Sequence, residues 1–312
     1  MEKKIPLLVV VGPTASGKTA LAVSLAKQFH GEVISADSMQ IYKKMNIATA
    51  KPTEAEMGGV PHHLIDCLDL SQKFSVADYT ALAHQKAEEI HERGHLPILA
   101  GGTGLYIDSV VNNILFSEIK TDEALRKELG WLAAERGAEY LLEELRQFDP
   151  ESAQRLHLNN LPRIIRAIEV YKLTGVTMTE HQRRSRLEPT GYQSIIIGLD
   201  FQDRQKLYDR INLRVDRMFA DGLLEEAKEI LSNKNLGTAR QAIGYKELQH
   251  YFDGQESLEE AIQKIKQETR RYAKRQLTWF RRNPDIHWIY VDCCRNFEEV
   301  SEQAALLLNF IE

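Results

Sequence analysis

The octapeptide Gly12-Pro13-Thr14-Ala15-Ser16-Gly17-Lys18-Thr19 has the residue types and spacing of a phosphate-binding loop. Such a loop turns backbone N–H groups inward around phosphate oxygens, and the helix that opens behind it adds a favourable dipole. Lys18 supplies a point charge, and Thr19 is the position whose hydroxyl binds Mg²⁺ in loops of this type. The pattern predicts a bound di- or triphosphate and leaves open which one.

Three further stretches offer groups that could work on it. In "EVISADSMQIY" Asp37 ends an apolar run, with Ser38 and Gln40 following. An aspartate there either caps a turn or, where the run is a strand facing the loop, acts as general base toward a nucleophile that attacks a diphosphate-bearing substrate. In "GGTGLY" the glycines permit close backbone approach. Thr103 could touch the phosphate or the nucleophile; a plain tight turn is the alternative. In "YDRINLRVDRMF" Arg210, Arg214 and Arg217 recur at helical spacing on one face. They read as a clamp for charge on a leaving diphosphate or, with Asp209 and Asp216, as a solvated salt-bridged face.

Residues typical of the commoner P-loop enzymes are missing. The run "LPILA" leads into Gly101-Gly102-Thr103-Gly104, so no carboxylate stands where a Walker-B acid would hold Mg²⁺ or position water. The nearest string to a guanine-reading N-K-x-D, "NKNL" at residues 233–236, lacks the acid. Both gaps weaken a kinase or switch without excluding either.

The elements that must position these groups follow from the apolar runs. Residues 6–11, 32–36, 96–100, 194–199 and 286–291 read as buried strands. Helical patterns separate them, which predicts an α/β fold: a P-loop NTPase-like core with a parallel sheet flanked by helices. Ligands of such sheets bind at the carboxyl ends of the strands. The loop, Asp37 and "GGTGLY" all fall there. The gap between the third and fourth runs is too long for one crossover. Residues 120–189 read as a mainly helical insertion, with "HQRRSRLEPTG" as a flexible return, between core segments 1–119 and 190–312.

At 312 residues, with 43% hydrophobic and 27% charged residues, the chain suits one large or two modest globular domains. No segment approaches the roughly 20 apolar residues of a membrane span. The short apolar run after "MEKK" leads into the glycine loop without a signal-peptide cleavage pattern. Cys67, Cys293 and Cys294 have neither zinc spacing nor an even count. That suits reduced thiols in a cytoplasmic protein. No segment reads as a dedicated dimer interface, so a monomer is expected.

A net charge of −5 leaves nucleic-acid contact to local patches. "RRYAKRQLTWFRR", residues 270–282, holds six basic residues and no acid, with Tyr272, Trp279 and Phe280 interleaved. A solvated helix face would normally mix signs, whereas this one suits a phosphate backbone with an aromatic for base stacking. Arg163, Arg166, Arg183, Arg184 and Arg186 make a second basic group in the insertion. Together they favour RNA over a merely solvated charge run.

The strings "GPTASGKT", "ISADSMQIYKKMNIATAKP", "PHHLID", "GGTGLY", "RINLRVDRM", "RQAIGYKE" and "RQLTWFRR", in that order from residue 11 to about 288, closely resemble the tRNA dimethylallyltransferase (tRNA isopentenyltransferase) family of bacterial type. The resemblance implies transfer of a dimethylallyl group from dimethylallyl diphosphate to N6 of the adenosine just 3′ of the tRNA anticodon, with Mg²⁺. The loop from Gly12 to Thr19, with Arg214, would then hold the diphosphate as leaving group, and no water would be required. Asp37 would be the general base, with Thr103 near the nucleophile and diphosphate. Asp37, Ser38, Met39 and Gln40 would read the base edge. The helical insertion, through Pro162, Arg163 and Arg166, would help clasp the anticodon stem-loop. Arg240, Gln241, Gly244, Tyr245 and Lys246, and then Lys274, Arg275, Gln276, Trp279 and Arg281, would grip the surrounding RNA. Three rivals remain at this point: a small-molecule or nucleoside kinase, an adenylate isopentenyltransferase acting on free nucleotide, and a non-catalytic RNA-binding module.

Overall fold

The computed structural model describes residues 4–114, 121–185, 190–233 and 235–308. Arg186, Lys120 and the lysine of "NKNL" lie outside the described residues. Strand β1 (Ile5–Val11) is apolar along its length because it is covered on both sides. Leu7, Val9 and Val11 pack with Tyr79 and Tyr106 on one face. Leu8 and Val10 pack with Leu21 and Leu25 on the other. This is the period of two that alternates side chains across a sheet.

The remaining strands are β2 (Gly31–Ser35), β3 (His62–His63), β4 (Leu96–Gly101), β5 (Tyr192–Asp200) and β6 (Ile286–Tyr290). They form one sheet in the order β3-β2-β4-β1-β5-β6. Every pairing is parallel, and Val10 stands opposite both Ala100 and Ile197. Each of the five runs expected as strands lies at one of these strands. The edge strand β3 escaped notice because two residues carry no periodicity. It is held by His63 Nε2, 2.6 Å from the buried carboxylate of Glu32.

The strand order decides what can meet. β4 lies between β1 and β2, so the loops leaving β1, β4 and β2 emerge side by side at the carboxyl edge. These are the glycine loop, "GGTGLY" and the Asp37 turn. Helices Val76–Glu92 and Gly104–Val111 cover one face, and Lys18–Phe29 and Phe297–Leu306 the other. A separate apolar cluster that includes Ile41, Tyr42, Met45, Val215, Leu223, Tyr245 and Ile265 ties helices Arg204–Ala220, Leu223–Ser232, Tyr245–Phe252 and Leu258–Phe280 to the segment after β2.

The chain divides into two compact units, Met1–Val111 with Gly191–Glu312, and Asn112–Thr190. The second is helical, and Leu129, Leu141, Leu145, Ile164 and Ile168 form its core. Gly137, at φ 87°, separates helices Glu123–Arg136 and Ala138–Phe148. Part of "HQRRSRLEPTG" is not a flexible return: His181 to Ser185 finish the helix Met178–Ser185. The Arg184–Glu180 pair, four residues apart, supports that last turn. Residues 186–189 lie outside the described residues. No helix among the described residues is long and apolar enough to cross a membrane.

Candidate active site

The loop after β1 is shaped from both sides. Gly12 sits at φ 143°, and a Cβ there would stand 2.5 Å from the Leu199 carbonyl oxygen of β5. Any larger residue would push the loop off the sheet. Gly17, at φ 99°, is the N-cap of helix Lys18–Phe29 and turns that helix's free N–H groups toward the loop. Lys18 Nζ donates to the Pro13 carbonyl at 2.6 Å. From helix Arg204–Ala220, Arg210 Nε donates to Ala15 O at 3.0 Å, and Arg214 Nη1 lies 3.4 Å from Thr14 Oγ1. Arg217 of the same face is exposed. The arginine row is therefore divided: two residues hold the loop and one faces solvent.

Asp37 is both a cap and a free acid. Its Oδ1 accepts from the backbone N–H of Met39 at 2.8 Å and of Gln40 at 3.2 Å. No described residue donates to Oδ2, and the residue lines the pocket. Thr103 stands against the Asp37 turn. Its hydroxyl accepts from Ser38 N at 3.1 Å while its own N–H donates to Ala36 O at 3.1 Å. It buttresses the Asp37 turn and is not part of the pocket wall.

The pocket between these loops has a volume of about 300 Å³. One end is polar and basic, with Thr14, Lys18, Thr19 and Arg214. Asp37 stands on the wall with them. The rest of the lining is mixed: Ala48, Val215, Met218, Leu223, Ile243 and Ile265 are aliphatic, while Ser38, Thr49, Gln241, Thr269 and Tyr272 are polar. Burial, and then the charge of Arg214, lower the Lys18 ammonium from 10.5 to about 7, with Asp37 pulling the other way. An anionic ligand at this end would restore its charge.

Residues 48–50, quoted in the sequence only as part of a long motif, line the pocket and are fixed at both ends. The Glu226 carboxylate accepts from the N–H groups of Asn46, Ile47 and Ala48 at 2.8 to 3.0 Å, and Tyr245 Oη donates to it at 2.8 Å. Gln40 fixes the other end, its Nε2 donating to Thr49 O and Ala50 O at 3.2 Å each. Nothing in the spacing of Glu226 distinguishes it from an exposed helix acid.

A Mg²⁺ ion would meet a sparse set of donors. Among the described residues no group of three or more His, Cys, Asp or Glu could hold a metal. The Thr19 hydroxyl lines the basic end of the pocket. Mg²⁺ keeps several waters and often shares phosphate oxygens with one or two protein ligands. The residues present fit an ion carried in with a diphosphate.

The side chains expected to grip RNA fall into two groups. Arg163, Pro162, Arg240, Gln241, Lys246, Lys274 and Arg275 are exposed, and Gln241, Gly244 and Arg275 also line the pocket. Several others already have partners within the protein. Tyr245 is fully buried in the apolar cluster. Arg166 and Arg126 pair with the buried carboxylate of Glu169 at 2.6 and 3.0 Å. Arg281 pairs with buried Asp200 at 2.6 Å. Trp279 donates its indole N–H to Asp108 at 2.8 Å. Gln276 is buried and bonds the protein at both ends of its amide. The Gln40 amide is likewise occupied, by Thr49 and Ala50. A basic helix shows its charge in sequence, but not which cations face inward to a buried acid.

A phosphate loop opening a helix at the carboxyl edge of a parallel sheet defines a P-loop protein. The pocket beside that loop carries Asp37 on its wall and mixes aliphatic with polar side chains. The family model described as IPP transferase matches residues 40–283. A tRNA dimethylallyltransferase of Thermoanaerobacter sp. is 51% identical over 303 residues, covering 96% of each chain. That of Bacillus licheniformis is 49% identical over 302 residues, 96% of this chain and 95% of its own. The chain belongs to the IPP transferase family, that of the tRNA dimethylallyltransferases. Among solved structures, the full-length tRNA isopentenylpyrophosphate transferase of Bacillus halodurans superposes with a TM-score of 0.72 at 46% identity, covering 98% of this chain and 97% of that one. A eukaryotic dimethylallyltransferase acting on tRNA gives a TM-score of 0.84 at 30% identity, covering 98% of this chain and 79% of its own.

Proposed function

We propose that this protein transfers the dimethylallyl group of dimethylallyl diphosphate to N6 of the adenosine 3′-adjacent to the tRNA anticodon, releasing diphosphate. The observation that carries the choice of donor is the pocket itself. It joins a loop cationic enough for a diphosphate to a wall where Val215, Met218, Leu223, Ile243 and Ile265 offer apolar contact to a five-carbon chain. The kinase alternative is set aside on family membership.

In this mechanism the adenine N6 lone pair attacks the allylic carbon as its bond to the diphosphate oxygen breaks. Asp37 Oδ2 takes the N6 proton. Its Oδ1, held by two backbone N–H groups, fixes the carboxylate in one orientation. Charge collecting on the leaving diphosphate meets Lys18, the inward N–H groups of the loop and Arg214. Mg²⁺, with Thr19 as the residue that would hold it, would neutralise part of the same charge. The apolar wall keeps water away from the allylic centre. The adenine must leave its stack, which costs a few kcal/mol or less in a single-stranded loop.

The exposed basic residues would contact the tRNA backbone, and the protein is expected to act as a cytoplasmic monomer. Incubation with unmodified tRNA and labelled dimethylallyl diphosphate, with labelled ATP in parallel, tests the whole assignment. Label should enter the tRNA from the first reagent only. Consumption of ATP with an unlabelled tRNA would sink it.

The two classes of basic residue on helix Leu258–Phe280 and its end should separate in a salt titration. Lys274→Ala with Arg275→Ala should weaken tRNA binding and flatten the log–log salt slope by about one unit per lost phosphate contact. Arg281→Ala should leave that slope unchanged. It should instead lower stability by about 1–3 kcal/mol, because it strips a half-exposed partner from buried Asp200. Filter binding across a salt series and thermal melts read the two effects. Equal loss of slope from Arg281→Ala would refute the division.

A further inference from the structure

Helix Leu258–Phe280 turns exposed Arg275 outward, and the next residue, Gln276, inward, where it is only 5% exposed. The Gln276 amide uses both of its ends on two different loops of the site. Its Oε1 accepts from Thr14 N at 2.9 Å, inside the phosphate loop. Its Nε2 donates to Gly102 O at 3.0 Å, in the turn after β4. These loops leave neighbouring strands, and no other side chain among the hydrogen bonds described joins them. A glutamine does this without charge, since an amide carries one acceptor and one donor group at fixed separation.

The neighbouring backbone is cut to receive it. A Cβ on Gly102 would lie 2.0 Å from Gln276 Nε2. A methyl at the second glycine of "GGTGLY" would therefore force this amide to shift, while its φ imposes no demand for glycine. Thr14, held through its backbone by Gln276, also has its hydroxyl 3.4 Å from Arg214. Arg214 reaches Ala50 O with its other nitrogen at 3.5 Å. One chain of contacts thus runs from the turn after β4, through Gln276 and the phosphate loop, to the arginine on the far wall.

We infer that Gln276 is a positioning residue for the diphosphate: it braces the phosphate loop against the turn after β4, so that the loop is preorganised before the ligand arrives. The family pattern implies tRNA contact for this position, whereas the structure engages each end of the buried amide with one of the two loops. Ground-state order in the loop matters because the donors must stand where leaving-group charge develops. An ångström of displacement at such a site costs on the order of a hundredfold. The inference rests on the diphosphate assignment above, and its test is built to separate the two.

Wild type, Gln276→Ala, Gly102→Ala and the double variant are each titrated with dimethylallyl diphosphate and with inorganic pyrophosphate, and tRNA binding and melting temperature are measured beside them. Gln276→Ala should raise the Kd for both diphosphates by about tenfold to a hundredfold, with tRNA Kd near wild type. Gly102→Ala should do the same, because its methyl displaces the amide. The double variant should be no worse than Gln276→Ala alone, since the space needed by the methyl is then vacant. A purely structural glutamine would lower the melting temperature and leave diphosphate affinity intact in the folded protein, which would overturn the brace. Fully multiplicative losses in the double variant would overturn it as well. A wild type that binds pyrophosphate but not the dimethylallyl ester would sink the functional assignment, while the pyrophosphate series would still decide the brace.

Discussion

Asp37→Asn is expected to lower kcat by about 10²- to 10⁴-fold, with tRNA affinity and melting temperature close to wild type. Asparagine is the informative choice because of how the aspartate is held. The Oδ1 atom accepts from Met39 N and Gln40 N, a bond pair that an amide oxygen can keep. The Oδ2 atom, to which no described residue donates, becomes an amide NH2 that cannot accept the N6 proton. Alanine would remove cap and base together, and loss of such a cap alone costs about 0.5–2 kcal/mol. Single-turnover rates at saturating tRNA and dimethylallyl diphosphate read the chemical step. A variant that turns over near the wild-type rate would reduce Asp37 to its capping role, and the proton would need another acceptor.

That double role shows what the sequence could and could not reveal. "GPTASGKT" after an apolar run announced the phosphate loop, and the five apolar runs announced the sheet, because both are local patterns. The position of Asp37 at the end of one run announced its approach to the loop, because parallel strands deliver their carboxyl ends to one edge. Cap and base looked like alternatives in sequence, yet with the cap on Oδ1 the other carboxylate oxygen is left for the proposed base role. The pocket wall was illegible for a different reason. Val215 and Met218 on one helix, Leu223 and Ile265 on two others and Ile243 in a connecting turn look like ordinary core positions on each. Arg275 and Arg281 carry the same charge in one basic run. Only the fold shows that one faces the pocket mouth and the other neutralises Asp200. The same holds for Gln276, whose partners lie 262 and 174 residues away.

Lys18→Met should weaken dimethylallyl diphosphate binding by about a hundredfold or more, yet make the ligand-free protein more stable at neutral pH and below. The opposing signs follow from one cause. In the free protein, burial, followed by the Arg214 charge, lowers Lys18 from 10.5 to about 7. Below about pH 7 the lysine is charged in both folded and unfolded chains, so the folded state bears the whole cost of that charge. Between about 7 and 10.5 the folded lysine gives up its proton before the unfolded one does. The unfolded state then binds more protons, so wild-type stability rises with pH across this window. Methionine keeps the length of the side chain and removes the titration. Its advantage in melting temperature should therefore be largest below about pH 7 and vanish near 10.5. Bound diphosphate reverses the balance, because its charge restores the ammonium. Wild-type binding at pH 8 should take up protons, seen as a calorimetric enthalpy that varies with the ionisation heat of the buffer. The variant's residual binding should show a smaller dependence. If both proteins took up the same number of protons, Lys18 would be charged in the free pocket, and the electrostatic account of the loop would fail at its centre.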